Sequence, residues 1–382
     1  MLDEIESLRL VDHHCHGVLQ RDLDQDGLAG RLTETSSLGP LGGGLFDTRI
    51  GFALRRWCAP VLDLEAHASP ADYVARRAEL GVTEVGRRFL GGAGLDDLCV
   101  DTGFTPEPLL EPAELGRLAG ARGHQIVRLE DLAEKAVAEG VGADAFAREV
   151  RARLDARIGD AVGFKSVAAY RAGLDLSGER PSAAETRAAA ERLHREADRA
   201  MAGGRSLPRL SDETLHRFLV WAAAEYGLPI QFHVGYGDSD IDLHRTDPSL
   251  LTPLLRELEP AGVPVMLLHN YPYQRQAGYL AQVFENVFVD VSLATHNLGH
   301  RAPVLLAELM ELAPFGKVLY ASDAFALPEL YYLGALLFRR ALAHVLGEGV
   351  DDGAWTQTDA SRIARLITAG NARRVYRLGE HL

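Results

Sequence analysis

The stretch Val11-Asp12-His13-His14-Cys15-His16-Gly17 places three histidines directly after a short apolar run near the N-terminus. Because side chains on a strand alternate between its faces, we expect Asp12, His14 and His16 to point one way and His13 and Cys15 the other. Two imidazoles on one face can bind one divalent metal, since a neutral histidine nitrogen suits zinc and neighbouring metals. A His-x-His stretch alone often occurs by chance on a protein surface, so the prediction of a metal site needs further ligands later in the chain.

Composition restricts the class of protein. The chain has 382 residues, 47% of them apolar, and a net charge of −14 without a basic block, so nucleic acid is not an expected partner. Its three cysteines, Cys15, Cys58 and Cys99, do not make a disulfide framework and fit a reducing compartment. An acidic N-terminus and the absence of a long apolar run give no sign of a signal peptide or a membrane span. We therefore expect a cytoplasmic protein that acts on a small molecule and has no membrane partner.

Strand-like runs alternate with helical runs along nearly the whole chain. After the first strand, which leads into the histidine stretch, the predicted strands are 98–102, 125–129, 161–166, 229–233, 263–269, 287–291 and 317–320. The predicted helices are 70–91, one starting near 106, 131–157, 212–226, 248–258, 276–284, 301–313, 328–347 and 359–377. Eight strand–helix units usually close into a (β/α)₈ barrel.

We accordingly predict an α/β, TIM-like (β/α)₈ barrel that forms a single domain over 1–382. An open doubly wound sheet is the alternative, but no G-x-G-x-x-G motif follows the first strand. Two long insertions are expected, at 17–68 after strand one and at 171–210 after strand four. The first contains Leu41-Gly42-Gly43-Gly44, and insertions of this length usually serve function.

Polar residues follow the predicted strands at the end where barrel enzymes place their active sites. They are His14 and His16 on strand one, Glu130 near strand three, Lys165 on four, His233 on five, His269 on six and Asp323 on eight. One histidine after a buried strand is usually structural. Four histidines and an aspartate at one barrel mouth predict a metal site instead.

These residues resemble those of the amidohydrolase superfamily. The resemblance is carried by Asp12-x-His14-x-His16, by the strand-ending His233 and His269, and by Ser322-Asp323. A narrower resemblance is to the branch that contains aminocarboxymuconate-semialdehyde decarboxylase and the amidohydrolase-like domain fused ahead of glutamine-synthetase-like domains. It is carried by Gly163-Phe164-Lys165-Ser166, His269-Asn270-Tyr271-Pro272-Tyr273 and Asn371-Ala372-Arg373-Arg374-Val375-Tyr376, and it spans nearly the whole chain.

The resemblance implies that one divalent metal, expected to be Zn²⁺, is held by His14, His16, His233 and Asp323. Asp323 would also hold and deprotonate a water whose pKa the metal lowers from about 15.7 towards about 7. His269 would polarise the substrate, shuttle a proton or bind a second metal. Asp12, on the same face but deeper, is expected to orient a ligand.

Lys165 determines the expected number of metals. Only three of the 40 basic residues are lysine, which argues for a purpose at this position. In binuclear relatives a carboxylated lysine at this place bridges two metals, whereas the decarboxylase-like branch keeps an unmodified lysine that can pair with a substrate carboxylate. A lysine that merely extends to the barrel rim is the third possibility. We favour one ion, with two as the alternative.

The remaining predictions concern the substrate and the reaction. Tyr271, Arg275 and Glu130 are candidates for substrate binding. The expected reaction is hydrolysis of an amide or cyclic amide C–N bond by metal-activated water. The main alternative is a metal-dependent decarboxylase of a small unsaturated carboxylic acid, while a sugar-acid isomerase and a binding protein on a disused barrel are more remote. Self-association into a homo-oligomer is also expected.

Overall fold

The computed structural model describes residues 2–35, 44–204, 206 and 209–379. Seven parallel strands form one sheet in chain order. They are β1 Leu10–Cys15, β2 Leu95–Asp101, β3 Arg122–Arg128, β4 Ala161–Ser166, β5 Ile230–Val234, β6 Val265–His269 and β7 Val287–Val289. Helices cover the outside of this curled sheet, and the predicted α/β, TIM-like fold is confirmed.

The helices follow the strands in the expected alternation. The α-helices of the described residues are α1 Leu2–Ser7, α2 Gln25–Ala29, α3 Arg49–Trp57, α4 Pro70–Gly92, α5 Pro112–Ala119, α6 Leu129–Ala138, α7 Ala143–Asp155, α8 Ala183–Ala202, α9 Glu213–Ala224, α10 Thr252–Leu258, α11 Gln274–Val283, α12 Ser292–Leu298, α13 Ala302–Met310, α14 Pro328–Asp351, α15 Gln357–Arg365 and α16 Asn371–Tyr376. A π-helical turn, Leu366–Gly370, joins the last two. None of the described helices is long and apolar enough to span a membrane.

The predicted eighth strand, 317–320, is wrong as a strand, because Phe315–Lys317 forms a 3₁₀ turn and only an isolated bridge joins Val318 to Val289. The chain beyond this turn nevertheless bonds to both edges of the sheet. The amide of Leu319 donates to the carbonyl of Val289 on β7 at 2.9 Å, and the amide of His13 on β1 donates to the carbonyl of Tyr320 at 3.1 Å. This irregular segment brings Asp323 against β1.

The strict alternation expected for β1 is interrupted. Asp12 pairs with Leu98 of β2, whereas Cys15 pairs with Val100, so three steps on β1 match two on β2. A bulge of this kind re-aims side chains. His13, predicted to face the surrounding helices, instead bonds to Tyr376, which packs with apolar residues contributed by several strands.

Two other predictions need correction for a physical reason. The single helix predicted over 131–157 is two helices, α6 and α7, separated around Gly140, whose φ of 82° is not helical. The helix predicted near 106 begins instead at Pro112, where a proline occupies the first turn. Within the predicted insertions, α2 and α3 follow β1 and α8 follows β4, while Leu41, Gly42 and Gly43 lie outside the described residues.

Candidate metal centre

Two buried histidines and a partly buried aspartate meet at the carboxyl end of the sheet. Nε2 of His14 lies 3.1 Å from Oδ1 of Asp323, and Nε2 of His16 lies 3.4 Å from the same oxygen. One ligand atom from each of the three residues falls within 4.8 Å of the others. A cluster of two imidazoles and one carboxylate at this spacing can hold a single divalent cation.

Asp12 positions the aspartate of this cluster. Its carboxylate accepts hydrogen bonds from the backbone amide of Ser322 at 2.9 Å and from Oγ of Ser322 at 2.6 Å. Ser322 immediately precedes Asp323, whose backbone adopts a left-handed φ of 51° that a non-glycine residue rarely takes. Burial raises the pKa of Asp12 to about 7. Asp12 therefore supports the turn that carries Asp323, one of the predicted ligands.

Gln231 on β5 fixes the tautomer of His14. Nε2 of Gln231 donates to the carbonyl of His13 at 2.7 Å and to the hydroxyl of Tyr376 at 2.8 Å. With its amide nitrogen engaged in this way, Oε1 of Gln231 accepts from Nδ1 of His14 at 2.8 Å. The lone pair on Nε2 of His14 is thereby directed towards Asp323. Sequence reasoning missed Gln231, although its position two residues before His233 on a barrel strand was an available signal.

The other two predicted histidines lie beside the cluster. Nδ1 of His269 is 2.7 Å from Oγ of Ser292 and 3.5 Å from Oδ2 of Asp323. The ring of His233 packs on that of His269, with centroids 4.4 Å apart, and its Nε2 is 3.0 Å from the carbonyl of Tyr236. The structure thus brings together three of the four predicted ligands and leaves His233 adjacent to them.

A buried aspartate, Asp290, supports the His269 side. It accepts hydrogen bonds from the amides of His269 at 2.9 Å and Ser292 at 2.8 Å, and from Nε2 of His13 at 2.9 Å. The φ of His269 is 71°, a second left-handed residue at the mouth of the sheet. Asp290 holds this unusual turn in place, and its contacts could not be foreseen from the sequence.

The charges at the cluster match what a metal requires. Burial, and then the nearby Lys165, lower the pKa of His14 to about 4, and burial holds the pKa values of His233 and His269 well below the usual range. Although burial opposes it, contact with His269, His14 and His16 keeps the pKa of Asp323 well below its usual range. A buried anionic carboxylate among neutral imidazoles fits a divalent cation, because such a charge needs a compensating partner.

Lys165 occupies the opposite wall of the site. Only 2% of its surface is exposed, and its Nζ has no hydrogen-bond partner among the described residues. Burial lowers the pKa of this amine to about 8, although Asp323 and Asp101 partly offset the effect. In the sheet register Lys165 lies directly beside Arg128 of β3, whose Nε and Nη2 both donate to Oδ2 of Asp101. Two cationic residues therefore lie side by side at this edge, and sequence reasoning had identified only one of them.

A cavity of about 410 Å³ opens above these groups and is lined by His14, His16, His233, His269, Asp323, Lys165 and Arg128. Glu130 also lines it, but Oε1 of Glu130 accepts from Oγ of Ser166 at 2.7 Å and from Nδ1 of His216 at 3.2 Å, which leaves only Oε2 without a partner. Neither Tyr271 nor Arg275 is among the described residues that line the cavity.

Arg275 lies on the protein surface, where it pairs with Glu308 at 3.0 Å and Glu311 at 2.9 Å. His296 of α12, by contrast, is buried against the cavity with an Nδ1 that has no hydrogen-bond partner. The lining of the cavity therefore includes a buried histidine from a helix, in addition to the predicted residues at the strand ends.

Comparison with known proteins agrees with this arrangement. Residues 63–378 match the amidohydrolase family. The chain belongs to the amidohydrolase family. Among curated proteins it is 33% identical over 253 residues to protein fluG of Emericella nidulans, a match that covers 62% of this chain and 28% of that protein. The matched part of this chain therefore covers less than a third of the length of that relative.

Solved structures give the same fold. A Lactobacillus casei protein provisionally described as a metal-dependent hydrolase has a TM-score of 0.85 and 29% identity, with 98% of this chain and 96% of that chain covered. Uronate isomerases from Thermotoga maritima (TM-score 0.64, 13% identity, 98% and 96% covered) and Bacillus halodurans (0.67, 16%, 100% and 96%) share the fold alone. Family membership and the Lactobacillus neighbour support a metal-dependent hydrolase.

Proposed function

We propose that this amidohydrolase cleaves an amide or cyclic amide C–N bond of a small molecule with the help of one divalent ion. His14, His16 and Asp323 would hold the ion, and His233 would complete the set. The observation that supports this most directly is that three ligand atoms, one each from His14, His16 and Asp323, lie within 4.8 Å of one another at the mouth of the sheet. Zn²⁺ is our first choice, because two imidazoles and a carboxylate are typical zinc donors.

When bound, the ion would polarise a carbonyl group and supply a nucleophile from water at neutral pH. The side chains above it are arranged to move protons. Oδ1 of Asp323 faces His14 and His16, whereas Oδ2 lies 3.5 Å from Nδ1 of His269, so a proton taken by the aspartate can pass to the imidazole. Ser292, 2.7 Å from the same Nδ1, holds the ring in place for this transfer.

The same residues favour one ion over two. Among the described histidine, cysteine, aspartate and glutamate side chains, the ligand atoms that all come within 4.8 Å of one another belong to His14, His16 and Asp323, and His233 and His269 lie outside that group. An unmodified Lys165 would then remain available for an acidic group of the substrate. Its neighbour Arg128 is already paired with Asp101, so Lys165 is the cation that remains for such a group.

The unpartnered amine of Lys165 also favours a second candidate function, the decarboxylation of a small unsaturated carboxylic acid. Both reactions need the metal cluster, but only decarboxylation requires the carboxylate itself to be the leaving group. Protonation of the remaining carbon would fall to a group near the metal, and His269 is the nearest imidazole to Asp323 in addition to the two ligand histidines.

Metal analysis of the purified protein combined with a substrate screen tests the proposal. The panel should contain linear amides, cyclic amides and unsaturated aromatic carboxylates, with release of amine, ring opening and release of carbon dioxide measured separately. We expect about one equivalent of metal and cleavage of a C–N bond that disappears in Asp323→Asn. Asp198→Asn, which alters an exposed aspartate of α8, is the matched control. Carbon dioxide as the only product would reject the hydrolase in favour of the lyase.

A further inference from the structure

A second, larger groove lies outside the catalytic cavity. It has a volume of about 640 Å³ and is bounded by α3, by the turn after α12 and by α14. Phe52, Trp57 and Leu337 give it an apolar floor. Both its size and this lining are typical of sites for small molecules.

The charge around this groove is strongly one-sided. Arg49, Arg56 and Arg340 line it, and none of the three has a carboxylate within ion-pair distance among the described residues. Three exposed histidines, His67, His300 and His344, lie along the same groove, against a single acidic lining residue, Asp47. His344 itself is 3.4 Å from Glu348, so that histidine is partly compensated. In a chain of net charge −14 this local excess of cations is unusual.

Two of the arginines contact the same aromatic ring. The guanidinium of Arg56 lies 4.5 Å from the ring centroid of Trp57, and that of Arg340 from α14 lies 5.0 Å from the same centroid. Cation–π contact with the indole orients both groups but does not cancel their charge. Nη1 of Arg49 donates a hydrogen bond to the imidazole of His300, whose ring nitrogens lie 3.1 and 3.3 Å away. Because none of the three arginines has a carboxylate partner among the described residues, their guanidinium groups remain available to an anion in the groove.

We propose that this groove binds a small molecule that carries a phosphate group and an apolar or planar portion. Guanidinium groups match phosphate oxygens with two parallel hydrogen bonds, which favours phosphate as the anion. The planar portion would rest on Phe52, whose side chain is 47% exposed at the groove. The proposal does not depend on the reaction carried out in the cavity.

The groove shares two walls with the catalytic cavity. Ile50 of α3 and His296 of α12 line the cavity, whereas Arg49 of the same helix and His300 just after α12 line the groove. A ligand bound between α3 and α14 would therefore contact a wall of the active site on the side that faces away from the cavity.

Calorimetric titration of the full chain tests the inference with four probes: inorganic phosphate, pyrophosphate, AMP and adenosine. We expect pyrophosphate and AMP to bind and adenosine not to bind. The double variant Arg56→Gln/Arg340→Gln should weaken the affinity for AMP by about tenfold or more, because two charge-assisted contacts are lost. Arg195→Gln/Arg199→Gln, which removes two exposed charges from α8, should leave the affinity unchanged.

The titrations are repeated in Asp323→Asn, because a metal in the catalytic site could itself bind phosphate. Binding that persists there and is lost in the groove variant supports the inference. Binding that is lost in Asp323→Asn but kept in the groove variant assigns the anion to the catalytic site and overturns it. No heat with any anion at millimolar concentration also overturns it. If the groove variant instead changes only the oligomeric state in size-exclusion chromatography, the surface is an interface between chains.

Discussion

The two walls of the catalytic cavity are built differently. On the β1 wall the protein itself supports the proposed metal ligands: Gln231 accepts a hydrogen bond from His14, and Asp12 holds the turn of Asp323 through Ser322. On the opposite side, Nζ of Lys165 is buried without any hydrogen-bond partner among the described residues, and the same holds for Nδ1 of His296, which lines the cavity from α12. The unpartnered Nδ1 of His16 is the exception on the first wall.

This difference distinguishes the polar groups whose hydrogen bonds are made within the protein from those whose hydrogen bonds a ligand would supply. Buried polar atoms without partners are costly, so proteins keep few of them without a purpose. The β1 wall is preorganised for a cation, and the opposite wall presents donors that a substrate can satisfy. Substitutions on the first wall should abolish metal binding, and substitutions on the second should alter substrate recognition or stability.

The largest effect is expected for Asp323→Asn. This change removes the charge that the two imidazoles and the cation share, so we expect loss of bound metal and a fall in activity of about 10³-fold or more. Metal content by plasma mass spectrometry and initial rates measure the effect, and circular dichroism checks that the fold is retained. Asp198→Asn is the control, and full metal content in Asp323→Asn would refute the proposed centre.

His296 offers a test that uses pH. Burial lowers its pKa from the usual 6.5 to about 4, so between these values the unfolded chain takes up a proton that the folded chain refuses. The free energy of unfolding is therefore highest above pH 6.5, and it falls by about 3 kcal/mol as the pH drops towards 4. In His296→Gln the free energy of unfolding of the metal-free protein should depend less on pH over this range.

Urea unfolding at several pH values measures this difference. His244→Gln, in an exposed turn, should retain the pH dependence of the unaltered chain. Parallel pH curves for His296→Gln and the unaltered protein would mean that His296 titrates normally and that the cavity wall is open to water.

The sequence predicted the parts of the site that follow from strand ends. His14, His16 and Asp323 were identified because each comes directly after an apolar run, and parallel strands end at one edge. The sequence did not predict that a bulge in β1 turns His13 towards Tyr376, because a local change of register leaves the alternation of residue types unchanged. Arg275 was expected at the substrate. The residues next to it in the sequence do not indicate that it pairs at the surface with Glu308 of α13 and with Glu311, which follows that helix.

Gln231→Leu tests how much the β1 wall depends on its backing. The substitution keeps the approximate size but removes the acceptor for Nδ1 of His14, so the imidazole can take the wrong tautomer. We expect metal affinity to fall by about 10- to 100-fold while the folded state persists. Competition with a chromophoric chelator measures this affinity.

Gln231→Glu is the informative companion, since a carboxylate can still accept from His14. Recovery of metal affinity in this variant, beside its loss in Gln231→Leu, would distinguish orientation of the ligand from a general packing role. Equal affinities in all three proteins would show that His14 is held by its backbone alone.

The smallest effect is expected on the opposite wall, for Lys165→Met. Because Nζ of Lys165 has no partner in the protein, the substitution removes no internal hydrogen bond, and burying methionine in place of an amine should not lower stability. We expect metal content to stay at one equivalent and KM for an acidic substrate to rise by about tenfold, the value of one charge-assisted contact. Lys135→Met, at an exposed lysine paired with Asp131, should leave both quantities unchanged. A fall from two equivalents of metal to one would instead make Lys165 a metal bridge, and the opposite wall would then belong to the metal centre.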